Sequence, residues 1–253
     1  MKKLWNSFKI AFAMYSKIPM PKADWDKENM RYMMCFFPLV GVVEGALLIA
    51  WSFLEERLGA GAVLRSAVYV LIPVLVTGGI HLDGLLDTAD ALSSYQSRER
   101  KLEILKDSNA GAFAVITACC YFLASFGIWS ELGREEVRLL AGVFVFSRSL
   151  SGLGVAAFPC AKSTGTLAMF SDAVQEKIVL FCLYVLLFLS AGYMCVLNPK
   201  LGTAAVTVGW LTFFGYYRMS MKQFGGITGD LAGFFLQVCE LASAAAVFLT
   251  ARW

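Results

Sequence analysis

The chain has 253 residues, 58% of them hydrophobic and only 16% charged, where a soluble domain typically carries about 25% charged residues. That composition excludes a water-soluble fold, and a formal net charge of +3 spread over scattered basic residues excludes a nucleic-acid-binding surface. Long apolar stretches separated by short polar loops instead predict an all-α, polytopic membrane bundle, a single transmembrane domain over residues 1–253 embedded in a lipid bilayer.

In chain order, residues 1–33 form an N-terminal interfacial segment. Leu4, Trp5, Phe8, Phe12 and Tyr15 share one face at helical spacing, so residues 3–17 predict an interfacial helix with its lysines snorkelling to the headgroups. The apolar run between Lys9 and Lys17 is too short for a secretory signal. Apolar runs near residues 34–54, 66–80, 110–130, 139–158, 178–197, 201–217 and 231–251 predict about seven spans, the second and sixth being short. Lys and Arg concentrate on alternate loops, most densely before the first span, which places the N-terminus in the cytoplasm of a cell (inner) membrane protein. The polar loops at 81–109, 159–177 and 218–230 then share that cytoplasmic side. The seven cysteines show no CxxC spacing and read as small buried hydrophobes.

The richest stretch, Thr77-Gly78-Gly79-Ile80-His81-Leu82-Asp83-Gly84-Leu85-Leu86-Asp87-Thr88-Ala89-Asp90-Ala91, closes the second span and holds the single histidine. Asp83, Asp87 and Asp90 stand at i, i+4 and i+7, so a helix projects them from one face. Carboxylates about 6 Å apart repel by roughly 3 kcal/mol at an effective dielectric of about 20, and a bound cation relieves that repulsion. Hard oxygen donors without a Cys or His cluster favour magnesium or manganese over zinc, and Mg2+ commonly joins one or two carboxylates to substrate phosphates. The bland alternative is a solvated helix end. Against it, the next segment solvates itself with Glu99, Arg100, Glu103 and Lys106 in paired spacing rather than with aspartates. Asp107, before the third span, is read either as that helix's N-cap or as a further ligand.

Three other features bear on phosphate binding. Phe224-Gly225-Gly226-Ile227-Thr228-Gly229-Asp230 sets a glycine-rich turn before the last span, where Gly226, Thr228 and Gly229 offer an anion cradle and Asp230 a cap or a cation ligand. Glu44, Arg148 and Glu240 lie inside spans, where each charge is expensive and needs a partner. Arg148 either pairs with Glu44 or Glu240 or reaches phosphate. Lys162, in the loop after the fourth span, either sets topology or neutralises a leaving phosphate.

With these residues in view, the chain resembles the cobalamin synthase family, the membrane adenosylcobinamide-GDP ribazoletransferases. Gly78 through Asp90 is similar to that family's Gly-Gly-x-His-Leu-Asp-Gly-Leu-x-Asp-Thr-x-Asp signature. Ser97 through Gly111 is similar to its block ending in Asp-Ser-x-x-Gly, and Gly225 through Glu240 to its Gly-Gly-x-Thr-Gly-Asp block. Ala91, Asn109, Lys162 and Gln237 depart from the usual residues, but no aspartate is lost. The resemblance implies a transferase that joins adenosylcobinamide-GDP to alpha-ribazole or its 5'-phosphate and releases GMP. It further implies that Asp83, Asp87 and Asp90 hold the metal, with Asp107 or Asp230 as further ligands, and that His81 or an unliganded aspartate accepts the hydroxyl proton.

Two rivals are weaker. A CDP-alcohol phosphotransferase of phospholipid synthesis expects Asp-x-x-Asp-Gly followed closely by Ala-Arg, and only Asp87 and Asp90 fit. A cation-coupled transporter would place charges near the midplane between two repeat halves, and the acidic cluster lies at a span's end instead.

Overall fold

The computed structural model describes residues 2–107, 109–161 and 176–253. Among these residues helix is the only regular secondary structure, apart from one isolated parallel bridge between Cys160 and Ile227. The helices are α1 (Lys2–Tyr15), α2 (Lys27–Met30), α3 (Met33–Arg57), α4 (Ala62–Thr77), α5 (Ile80–Ser93), α6 (Arg98–Ile104), α7 (Ala112–Glu131), α8 (Arg134–Ala157), α9 (Glu176–Leu197), α10 (Pro199–Phe224) and α11 (Gly229–Ala251).

Five of these, α3, α7, α8, α9 and α11, are long and apolar enough to cross a membrane. The expected count of about seven is lowered at two places. The second expected span is α4, which qualifies only together with α5, and the two are bent by 94° at Gly78–Gly79; taken as one broken span, the pair brings the count to six. The sixth expected span is α10, a 26-residue helix whose glycines, threonines and tyrosines dilute its hydropathy below that of its neighbours.

The N-terminal helix forms as expected and packs on the bundle. α1 buries Asn6, Ser7, Ile10, Ala11 and Phe12, while Leu4 and Trp5 stay 47% and 55% exposed. Polar contacts join the apolar ones: the Asn6 amide donates to Asn29 Oδ1 at 3.2 Å and Ser7 Oγ to the Asn29 carbonyl at 2.5 Å. Lys9 does not snorkel. It is buried, and its ammonium donates to the Lys22 carbonyl at 2.8 Å. The cysteine expectation holds for Cys239, which is buried, whereas Cys119 and Cys120 face outward on α7.

α8 is the axis of the bundle, buried along nearly its whole length and packed against α3, α9, α10 and α11. Small residues permit the close crossing: a Cβ on Gly45 of α3 would stand 2.7 Å from the Ala141 carbonyl oxygen of α8. Where α3, α8 and α11 meet, the structure realises both expected ion pairs at once. Arg148 donates from Nη2 to Glu44 Oε1 at 2.6 Å and from Nη1 to Glu240 Oε1 at 2.7 Å. Ser147 Oγ adds a 2.9 Å bond to Glu240 and the Phe144 carbonyl accepts from Arg148 Nη1 at 3.1 Å.

Candidate active site

The site begins at the elbow between α4 and α5. A right-handed helix cannot turn through 94° in two residues with L side chains in place, and here the two linking residues, Gly78 (φ +65°) and Gly79 (φ +80°), are left-handed. The Lys17 amide donates to the Val76 carbonyl at 2.7 Å, and the Lys17 stem lies where a Gly78 Cβ would stand. The N-terminal segment therefore braces the elbow.

From the elbow α5 runs with two distinct faces. His81, Gly84, Leu85, Thr88 and Ala91 are buried, whereas Asp83 is exposed and Asp87 and Asp90 are half-buried. The His81 ring packs between Tyr15 (centroids 6.1 Å apart) and Phe37 (5.9 Å). It thus points into an aromatic wall rather than along the aspartate face, as the helical offset predicts.

Packing, not sequence proximity, supplies the fourth acid. α5 crosses the start of α11 at two glycines: a Cβ on Gly84 would fall 2.5 Å from the Asp230 carbonyl oxygen, and one on Gly233 would fall 3.0 Å from that of His81. This crossing brings Asp230 beside the stripe, so Asp87 lies within the electrostatic reach of Asp83, Asp230 and Asp90 together. Asp230 does not cap its helix. Thr228 does, its hydroxyl accepting from the Leu231 amide at 3.2 Å and donating to Asp230 Oδ2 at 3.4 Å.

Asp90 has a task that the sequence did not disclose. Its Oδ2 accepts from the Gly111 amide at 2.5 Å and its Oδ1 from the Ala114 amide at 2.8 Å. A side chain from α5 thereby satisfies two orphan donors at the start of α7, whose own N-cap residue, Gly111, has no side chain. Asp107, for which a cap of that helix is one of two readings, does not serve as one. Its Oδ1 accepts from the Asn109 backbone at 3.0 Å and side-chain amide at 2.8 Å, and these bonds hold its carboxyl below the usual carboxylate range.

The glycine-rich turn is stitched to the loop after α8. The Ile227 amide donates to the Pro159 carbonyl and the Ala161 amide to the Ile227 carbonyl, each at 2.9 Å, and Gly226 packs so tightly on residues 159–161 that any Cβ there would overlap their backbone. The Gly226 amide is spent on the Ser220 carbonyl at 3.3 Å, whereas the space beside Gly229 is open. Lys162 follows this stitched segment and lies outside the described residues. Arg148, fully buried between Glu44 and Glu240, has the ion-pair place among its two readings and presents no surface to a phosphate.

The donor set fits magnesium in kind: carboxylate oxygens only, one of them exposed, with further acids behind it. Among the described residues no three acidic, His or Cys side chains already converge as a closed metal cage. One residue the sequence reading passed over is Arg98, whose guanidinium lies against Gly225. Its signal was available: no acid stands three or four positions after it, as Glu103 stands after Arg100.

All of these blocks fall within residues 7–248, which match a family model described as cobalamin-5-phosphate synthase. The chain belongs to that family. Similarity to cobalamin-5-phosphate synthase relatives runs end to end: a protein of Lachnoclostridium phytofermentans named adenosylcobinamide-GDP ribazoletransferase is 44% identical over 98% of this chain and 95% of its own. Proteins of the same name from Desulfitobacterium hafniense (32% identical, over 95% and 94%) and Clostridium perfringens (30%, over 95% and 96%) are similar over the same extent. No solved structure matches the chain.

Proposed function

We propose that the chain is an adenosylcobinamide-GDP ribazoletransferase of the cell membrane, which joins adenosylcobinamide-GDP to alpha-ribazole or its 5'-phosphate. The products are adenosylcobalamin or its phosphate, together with GMP. A ribazole hydroxyl oxygen attacks the phosphorus that bears the cobinamide, the diphosphate bond to the GMP phosphate breaks, and the hydroxyl proton passes to a base. The observation that carries this reading is the crossing of α5 and α11, which gathers Asp83, Asp87, Asp90 and Asp230 from two family-matching blocks.

Asp83 and Asp87 would hold Mg2+, with Asp230 beside them and Asp90 able to add a lone pair beyond the two it gives to α7. Asp107 is the most remote of the ligands in role, its carboxylate being engaged by Asn109. When bound, Mg2+ supplies charge neutralisation across the diphosphate. An aspartate left off the metal is the better base than His81, whose ring is enclosed by Tyr15 and Phe37. The positive-inside pattern supports a cytoplasmic N-terminus and active site.

The deciding experiment supplies membranes containing the protein with adenosylcobinamide-GDP, ribazole and magnesium and looks for cobalamin and GMP. CDP-linked lipid and its alcohol acceptor serve as the control. Product from the cytidine substrate alone would transfer the assignment to phospholipid synthesis.

A further inference from the structure

We propose that Arg98 binds the nucleotide phosphate of the substrate, the group that departs as GMP; the assignment rests on the phosphoryl-transfer reading above. α6 carries three basic residues, and two are committed. Arg100 pairs with Glu103 at 2.6 Å, and Lys101, buried, donates to Gln223 Oε1 at 2.6 Å. The second bond pins α6 to the final turn of α10, so Arg98 is held over the glycine that ends α10. Gly225 is left-handed (φ +77°), and Arg98 Nη1, Cζ and Cδ come 2.6, 3.0 and 3.2 Å from where its Cβ would be.

Arg98 itself makes no hydrogen bond or ion pair among the described residues. Its neighbour Glu99 is held mainly by its own backbone amide and by Ser97, with only a weaker charge attraction to Arg98. An exposed guanidinium with its donors unspent, lying on a turn, is open to an anion that arrives from outside. The turn gives that anion an address. Five residues after Gly225, in the first turn of α11, comes Asp230, which stands beside Asp87. Arg98 at Gly225 and the carboxylate of Asp230 therefore stand at the two ends of the turn between α10 and α11 with opposite charge. A diphosphate needs both signs: carboxylates to carry a cation on one side, and a fixed cation to take the charge that grows on the departing phosphate. The planar fork of arginine meets two phosphate oxygens at once, which lysine does not.

The test uses the full-length protein purified in detergent, comparing wild type with Arg98→Ala and Arg98→Lys. Arg98→Ala is expected to raise KM for adenosylcobinamide-GDP about tenfold or more, to weaken GDP binding in parallel, and to leave KM for ribazole unchanged. Arg98→Lys, which retains the charge but not the fork, is expected to fall between. Equal GDP affinity in wild type and Arg98→Ala overturns the assignment, as does a matched rise in both KM values, which marks a merely structural role. If wild type converts no adenosylcobinamide-GDP, the functional reading fails instead. GDP binding then judges Arg98 alone, with loss in Arg98→Ala supporting it and equality overturning it.

Discussion

Gly84 and Asp230 meet backbone to backbone, so close that a Cβ on Gly84 would stand 2.5 Å from the Asp230 carbonyl oxygen. This contact sets the spacing between the two helices that carry the acids. Gly84→Ala is expected to push α5 from α11, costing about 1–3 kcal/mol of stability and most of the transferase activity. Thermal unfolding in detergent and cobalamin formation measure the two effects, and wild-type values in both would show that the crossing tolerates the extra methyl group.

Asp83→Asn and Asp87→Asn remove charge from the stripe without changing its shape. Each is expected to abolish magnesium-dependent GMP release while the protein still inserts and folds, and chelation of wild type with EDTA is expected to reproduce the loss until magnesium is restored. Full activity in both variants would refute the metal assignment.

Asp90 separates a structural role from a chemical one. Asp90→Ala strips both acceptors from the start of α7 and is expected to cost about 1–2 kcal/mol; Asp90→Asn keeps one acceptor and is expected to cost less. Proteolysis and thermal unfolding follow α7 directly. Equal stability of Asp90→Ala and wild type would mean that the Gly111 and Ala114 amides find other partners.

At the bundle axis, Arg148 pairs with two buried carboxyl groups, those of Glu44 and Glu240. Arg148→Met leaves Glu44 and Glu240 without a cation and is expected to destabilise by about 3–5 kcal/mol. Triple replacement by apolar residues of similar size is expected to recover most of that stability without a matching gain in catalysis. Unfolding midpoints of the single and triple variants decide the matter, and a single variant as stable as wild type contradicts the pairing.

Whatever depends on one segment alone was legible in the amino-acid order. Asp83, Asp87 and Asp90 share a face because the helical period places i, i+4 and i+7 together, and His81 turns away for the same reason. The five long spans follow from runs of apolar residues that water would not accommodate. What joins segments was decided by packing. The 94° elbow at Gly78–Gly79, the cap that Asp90 lends to α7, and the arrival of Asp230 beside Asp87 each depend on which small residue lets which helix approach. Likewise Arg98 gained its place only because Lys101 is bonded to Gln223 across more than a hundred residues. Periodicity is a property of the chain's own geometry; a crossing exists only once two surfaces have excluded lipid and water from between them.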